Sequence, residues 1–585
     1  MTEAKKTYSW GPFDSPPNIL IIMTDQQRTT QWFPDNWAKN NLTALQWLSD
    51  NGLSFPNNFS SAAPCGPSRG VIFSGKYQPG TGVWNNNGTL PPETSLAHMM
   101  DSLGYDVTYK GKWDLVSEFS EQAETRPNDA NKVRSENKTM KNAYGFSGWT
   151  SPDMGDALSF ESLSIPSESD DPTSILYTMG SSRISDTPRL PNDSAIIKGP
   201  LENNQESAID FLKKRDKNDK PFFMVASMVS PHDVFSYPNS FEVAGYKEAD
   251  WTGDNYKGFE TPPTFNENLN DKPTVQQDYL DGVKQLVDFP EPEKYLQFYA
   301  YLQTLSDSLS QDLIDTLTEN HLLENTIIVR IADHGELGLS HGGMVQKTYN
   351  MYQETVNVPL IFSNPKLQRH YQRKEGTNNQ KPFINDGAVT LADLAPTLAS
   401  IGGASDSEIT AAGYQGVDIS STVANPGIPL AQKTILFTFW GGTHYPNTTV
   451  DGNELGESIR ESIGDGQGGS SVSMGNLELF ESINEGNNIC AVFDGTWKYG
   501  IYFTYDHHSG ITNPQYEMYN LAKDPSERKN LLYNPSQPSL DQAELMFESL
   551  CQHLKAKQFE IKGWEDITSY AHWESDAKKS EEKKH

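Results

Sequence analysis

Asn18-Ile19-Leu20-Ile21-Ile22-Met23, followed at once by Thr24-Asp25-Gln26, decides the fold. Its apolar residues run on without alternation, so the segment reads as a strand with neither face in water. Three further runs have the same character: Phe222 to Val229 (FFMVASMV), Thr326 to Ala332 (TIIVRIA) and Val358 to Ser363 (VPLIFS). Helical patterns lie between them. Leu42 to Asp50 follows Asn41 as N-cap and stops near Gly52. Pro292 to Glu319 repeats apolar residues at three and four positions, and Val389 to Ile401 ends before Gly402 and Gly403. Buried strands alternating with helices predict an α/β fold, a large, mixed but mostly parallel sheet flanked by helices.

Ligands of such sheets sit at the carboxyl ends of the strands. Here those ends read Thr24-Asp25-Gln26, Ser230-Pro231-His232-Asp233 and Asp333-His334-Gly335. Three strands ending in metal-capable or acid/base side chains form a constellation, although a lone Asp25 would read as a strand-end cap. Asp333-His334-Gly335 alone would read as a solvated turn.

The segments 116–200 and 241–290 are rich in Ser, Asp, Asn and Pro and read as long insertions or loops over the sheet. Beyond Gly403 the pattern changes. Thr434 to Trp440, Ile489 to Thr504 and Gln515 to Leu521 predict strands of a second sheet, with Asp494-Gly495 as a hairpin turn and a final helix over Leu540 to Lys555. The expected division is therefore a catalytic domain over 1–403 and a smaller α+β subdomain over 404–585 that carries an antiparallel sheet. The lysine-rich end from Lys578 to His585 reads as a solvated tail.

Among the 585 residues, 77 acidic against 46 basic ones give a net charge of −31. That excess argues against sequence-independent nucleic-acid binding, which needs Lys and Arg to displace counterions. It also disfavours anionic membrane surfaces. Three cysteines, Cys65, Cys490 and Cys551, cannot make a disulfide framework. No leader-like apolar core opens the chain and no run approaches a membrane span, so the expectation is a cytoplasmic protein.

Pro64-Cys65-Gly66-Pro67-Ser68-Arg69 lies just before a predicted helix through Val71, Ile72 and Phe73 to Gly75. Free N–H groups at a helix start favour anions, so a cysteine there is expected to have a lowered pKa and to be nucleophilic. Arg69, one turn on, is placed to neutralise an anion. As a plain structural feature, the same segment would be a small buried cysteine in a proline-punctuated turn.

Cys65-Gly66-Pro67-Ser68-Arg69 with Ser74-Gly75 resembles the signature of the type I sulfatases, in the alkaline phosphatase superfamily. Further segments resemble that family's motifs in the same order: Asn18 to Gln26, Gly111-Lys112-Trp113, Ser230-Pro231-His232, Ala332 to Glu336, Lys347 to Pro359, and Met518 to Leu521 followed by Asp524-Pro525. The resemblance implies that Cys65 is oxidised to formylglycine by a maturation enzyme, and that its hydrated form attacks sulfur. It implies a divalent metal held by Asp25, Gln26, Asp333, His334 and the formylglycine oxygen, with Ca²⁺ expected and Mn²⁺ the alternative. It implies that Lys112 and Lys347 bind sulfate oxygens, that Arg69 supports the nucleophile and that His232 faces the leaving group. The implied substrate is a small anionic sulfate ester.

Two positions depart from the common pattern. Gln26 stands where many sulfatases have a second Asp, and Asp25-Gln26 with Asp333-His334 resembles the branch of choline sulfatases and phosphonate monoester hydrolases. Asp114 stands where the lysine motif commonly continues with His, and is expected either to pair with Lys112 or with a cationic substrate group, or to point away from the substrate. His341 reads as structural or as an indirect neighbour of the metal. Trp32, Trp84 and Trp113 are candidates for an apolar leaving-group pocket, with core the expected role for at least two. Phosphonate monoester or phosphodiester hydrolysis is the rival activity, and a non-catalytic sulfatase-like binding protein the rival class.

Overall fold

The computed structural model describes residues 8–86, 88–117, 119, 130–149, 206–239, 241–242, 246–376, 382–441, 486–506, 509–559 and 561–567. Most of the expected 116–200 insertion and the whole Lys578–His585 tail lie outside these residues.

The four apolar runs are strands of one seven-stranded sheet in the order β4-β5-β1-β6-β7-β2-β8. These strands are β1 (Asn18–Asp25), β2 (Gly52–Ser54), β4 (Asp106–Gly111), β5 (Phe222–Pro231), β6 (Thr326–Ala332), β7 (Leu360–Ser363) and β8 (Phe383–Ile384), while β3 (Asn58–Phe59) pairs separately with β9 (Val389–Thr390). The block β4, β5, β1 and β6 is parallel throughout, and β7 turns antiparallel against β6. Every residue of β1 is buried because its alternate side chains enter different cores. Ile19, Ile21 and Met23 pack with Phe223, Val329 and the helix Cys65–Ser74 on one face. Leu20 and Ile22 pack with Ala44, Leu48, Leu313 and Leu317 on the other. A continuous apolar run is what a strand covered on both faces requires.

Parallel register aligns the carboxyl ends of four strands. Thr24 of β1 lies beside Ala332 of β6, Asp25 beside Pro231 of β5, and Gly111 of β4 beside Ser227. The next residues along are Asp333, His232 and Lys112, so one sheet edge collects them beside Asp25. Gly111 has φ +98°, and any side chain there would run into the Ser227 carbonyl, so glycine is needed for Lys112 to turn in over the edge.

Local readings needed three corrections. The Leu42–Asp50 helix starts at Thr43, and Asn41 does not cap it. Its free N–H groups at Ala44 and Leu45 each reach an Asp307 carboxylate oxygen at 2.9 Å, a cap supplied by the long helix Pro292–Glu319. Val389–Ile401 divides into β9, a short 3₁₀ turn with a Thr390/Asp393 capping box, and a helix over Leu394–Gly402. Finally, 241–290 is not a loop laid over the sheet. It holds the helix Thr274–Leu286, and Tyr246, Trp251, Tyr256 and Phe259 are buried in a core shared with Leu296 and Phe298 of the long helix. The helix itself carries Val275, Tyr279, Leu280, Val283 and Leu286 at helical spacing, a period that the Pro-, Asn- and Asp-rich stretch before it masks.

Beyond Gly403, β10 (Ile435–Trp440), β11 (Asn488–Phe493), β12 (Trp497–Asp506) and β13 (Gly510–Asn520) form an antiparallel sheet in chain order, with β11 and β12 joined at Asp494-Gly495 by a hairpin. One face packs Leu436, Val492, Ile501 and Met518 against Met546 and Leu550 of the helix Gln537–Ala556. The other contributes Phe437, Phe493 and Tyr519 to the core that contains Phe59 and Tyr352. Among the described residues no helix is long and apolar enough to cross a membrane.

Candidate active site

Cys65 is the first residue of the helix Cys65–Ser74 and is fully buried. Its Sγ lies 3.1 Å from His334 Nε2 and 3.6 Å from Asp25 Oδ1. One ligand atom each from Asp25, Cys65, Asp333 and His334 falls within 4.8 Å of all the others. Two carboxylates, an imidazole and the side chain of residue 65 make a mixed oxygen and nitrogen donor set suited to a divalent cation. The residues present therefore fit the implied metal. His334 keeps Nδ1 3.0 Å from the Gly335 carbonyl, which leaves Nε2 for the cluster.

Three cations surround these carboxylates. Arg69 Nε donates to Asp333 Oδ2 at 2.9 Å and Nη2 to Asp25 Oδ2 at 3.2 Å, while Nη1 donates to the Lys112 carbonyl and to Ser227 Oγ. Arg69 thus contacts both acids that stand beside Cys65. Lys112 Nζ lies 2.6 Å from Asp25 Oδ2 and 3.7 Å from Asp114 Oδ2. Lys347 Nζ donates to Gln26 Oε1 at 2.6 Å. Burial opposes ionisation of Asp25, yet Lys112, with His232 and Arg69, holds its carboxyl well below the usual range. Burial likewise opposes the Lys112 charge, but Asp25 together with Cys65 and Asp114 outweighs it, so the ammonium persists far into alkali.

The thiol behaves contrary to expectation. Burial, with Asp25 adding to it, pushes Cys65 up to about 12 against the weaker pull of Lys112 and Lys347. The helix start does not prevail, because a fully desolvated thiolate would stand beside a carboxylate. Burial, with Lys347 second, holds His232 well below its ordinary pKa, and its Nδ1 has no hydrogen-bond partner among the described residues. His232, Lys112 and Asp114 are 4%, 1% and 6% exposed, against none for Asp25, Cys65, Asp333, His334 and Lys347.

Other expectations resolve by contact. Asp114 pairs with Lys112 from a left-handed backbone, φ +61°. His341 stands outside the ligand cluster, between Glu267 at 3.0 Å and Glu354 at 3.6 Å, and stacks on Tyr352. Trp113 is core, enclosed by Phe73, Tyr109, Tyr144 and Phe146. Trp84 packs edge-on against Trp440, and Trp32 donates to Glu354 Oε1 at 2.8 Å. Sequence reasoning missed the supports. Ser227 holds Arg69. Asn86 Oδ1 accepts from Gly66 N at 3.1 Å, and Tyr299 OH donates to the Gln26 carbonyl at 2.6 Å. The position of Ser227, two pairs before the β5 end and beside Gly111, was the available signal for the first; nothing local marks the other two.

Fold and site together define a hydrolytic enzyme of the alkaline phosphatase superfamily. A sulfatase family profile matches residues 17–404, and the chain belongs to the sulfatase family. It is 24% identical to an uncharacterized sulfatase of Escherichia coli over 388 residues, covering 66% of this chain and 67% of that one. It is 24% identical to the choline-sulfatase of Rhizobium meliloti over 544 residues, 90% of this chain and 85% of the relative. The phosphonate monoester hydrolase of Agrobacterium radiobacter shares the fold, with a TM-score of 0.54 at 18% identity over 92% of this chain and 96% of that one.

Proposed function

We propose that this protein hydrolyses a small sulfate monoester to an alcohol and sulfate, with Cys65 matured to formylglycine by a dedicated enzyme. The observation that carries the reading is the convergence of residue 65, at a helix start, with Asp25, Asp333 and His334 inside 4.8 Å. The unmodified thiol is poorly suited to attack at neutral pH, since it is held near 12. Formylglycine supplies a hydrated aldehyde as nucleophile, and the divalent metal, Ca²⁺ with Mn²⁺ as alternative, supplies Lewis-acid polarisation. Asp25, Gln26, Asp333 and His334 would hold that metal.

The chain's own residues do the rest. Arg69 neutralises Asp25 and Asp333 from behind, so both keep their direction without repelling each other. Lys112 and Lys347 are buried ammonium groups fixed by Asp25 and Gln26, ready to meet the sulfate oxygens with little reorganisation. His232, neutral near pH 7, offers one N–H and one lone pair, and an arriving anion raises its basicity. It therefore stands to hold the proton exchanged with the leaving oxygen. The near full-length match to a choline-sulfatase supports a small ester over a polymer.

Matured protein should be assayed on matched aryl sulfate and aryl phosphonate esters together with a panel of small sulfate esters, and its bound metal counted. The expectation is a higher kcat/KM on sulfates and one metal per chain, both lost in Asp333→Ala. Faster phosphonate turnover, or full metal occupancy and turnover in Asp333→Ala, would overturn the reading.

A further inference from the structure

Gln26 sits at the turn after β1 in a left-handed backbone, φ +65°, that a non-glycine residue seldom adopts. Its backbone is pinned at both ends: N donates to Asp333 Oδ1 at 3.0 Å, and its carbonyl accepts from Tyr299 OH at 2.6 Å. The side-chain amide is nearly symmetric in shape and fits its slot in either of two orientations. What it meets on each side differs in kind. Lys347 Nζ, which can only donate, lies 2.6 Å from Oε1. The Glu336 carboxylate receives Nε2 on its Oε2. All three side chains are essentially fully buried.

Glu336 does not owe its own position to Gln26. Its Oε1 accepts from Tyr295 OH at 2.7 Å, Gln346 N at 2.8 Å and Gly338 N at 3.0 Å, donors from the long helix and from the turn leading to Lys347. With one oxygen filled by three donors, the other is left facing the Gln26 amide as an acceptor.

We propose that Glu336 is the positioning residue that sets the direction of the Gln26 amide, so that Gln26 shows its oxygen to Lys347 and the metal ligands. The inference rests on the reading of Gln26 as a ligand position given above. It explains how a neutral amide serves where many sulfatases have a carboxylate. The charge stands one residue back, orients the ligand through an N–H, and draws electron density toward the amide oxygen on the far side. A reversed amide would turn an N–H toward an ammonium and a cation, and an oxygen toward a carboxylate. Hydrogen bonds to charged groups of this kind commonly discriminate by about ten- to a hundredfold.

The test exchanges the two groups. Metal-free protein of wild type, Glu336→Gln, Gln26→Glu/Glu336→Gln, Gln26→Met and Gln26→Met/Glu336→Gln is titrated with Ca²⁺ and Mn²⁺ in competition with a chelator. Thermal unfolding serves as a check on folding. In Glu336→Gln the three donors keep the new amide oxygen, its nitrogen faces Gln26, and Gln26 must reverse; metal affinity should fall about ten- to a hundredfold. The exchanged pair restores a donor facing an acceptor and should recover at least tenfold of that loss. In the Gln26→Met background, Glu336→Gln should change affinity by less than about twofold, because no amide remains to orient. Unchanged affinity in Glu336→Gln, no recovery in the exchanged pair, or an undiminished loss in the Met background would each overturn the proposal. Should Glu336→Gln alone fail to fold, a folded, metal-binding exchanged pair upholds it and an unfolded pair refutes it. Wild-type protein that binds no divalent metal refutes the functional reading beneath it, whereas a metal-binding wild type without recovery refutes this inference alone.

Discussion

Unmodified Cys65 in metal-free protein should be close to inert near neutral pH, and its alkylation should report this directly. The thiol is held at about 12, burial being the main cause and Asp25 at 3.6 Å the second. At pH 7 that leaves a thiolate fraction of about 10⁻⁵, against about 3% for a free cysteine with a pKa near 8.5. The difference is a factor of roughly 3,000 in nucleophile concentration alone. Protein made without maturation machinery, stripped with a chelator, is treated with iodoacetamide at pH values from about 7 to 10. Labelling is followed by mass on the peptide that spans Cys65 and Arg69. Because Cys65 is fully buried, the absolute rate includes a local opening, so the slope is the measurement. The rate should climb about tenfold per pH unit without levelling. Matured protein should instead give a peptide about 18 Da lighter that takes no label. A plateau below about pH 9 would mean that the thiol ionises near its ordinary value, and the reasoning from burial and Asp25 would be refuted. So would full ester turnover in protein whose Cys65 is entirely unmodified.

Lys112→Ala and Lys347→Ala should each lower kcat/KM by about 10² or more, the size expected for a preorganised cation meeting transition-state charge. A value within a few-fold of wild type would remove that lysine from the site. His341 gives a pH prediction. Burial works against its charge, but its bonds to Glu267 and Glu354 prevail and raise it to about 9. Since the folded value exceeds the unfolded 6.5, this stabilisation is complete below about pH 6.5 and disappears as pH rises through about 9. Its full size is about 3 kcal/mol. Urea midpoints measured at both ends of that range should show the loss in wild type and its flattening in His341→Gln, and equal slopes would refute it.

How much of this was legible in the sequence depended on whether the signal was local. Uninterrupted burial marks β1, β5 and β6, because a strand covered on both faces has no polar positions to mask it. Since parallel strands end on one edge, the residues just past them were candidates before any side chain was placed. Asp25, His232, Asp333 and His334 were found that way; Cys65, Arg69, Lys112 and Lys347 needed the resemblance as well. What escaped depends on partners far along the chain. Asp307 caps a helix starting at Thr43, and no pattern near either residue announces it. Tyr299 reads as one more aromatic on the apolar face of a long helix, yet its hydroxyl pins the Gln26 turn. The Cys65 thiol was misjudged for the same reason: the helix start is visible in the sequence, whereas the carboxylate 40 residues earlier acts only through the fold.

The charges of the site explain why Asp114 need not harm an anionic substrate. Lys112 has two carboxylate neighbours, at 2.6 Å for Asp25 and 3.7 Å for Asp114. With an effective dielectric constant of about 20, the gross attractions are about 6 and about 4 kcal/mol, so Asp25 dominates and Asp114 adds a second, weaker hold. Arg69 meanwhile answers Asp25 and Asp333 together. Asp25, Asp333 and Asp114 thus stand against Arg69, Lys112 and Lys347, and the Glu336 carboxylate behind the neutral Gln26 amide adds a fourth acid. The protein groups alone therefore hold one more acid than cation, and a divalent metal would leave a surplus of one positive charge, which answers the single charge of a bound sulfate ester. A second aspartate in place of Gln26 would cancel that surplus, which Asp114 already lowers by one relative to a neutral histidine. A site that carries Asp114 therefore gains from an uncharged residue at position 26, and the two departures from the common sulfatase pattern compensate each other in charge.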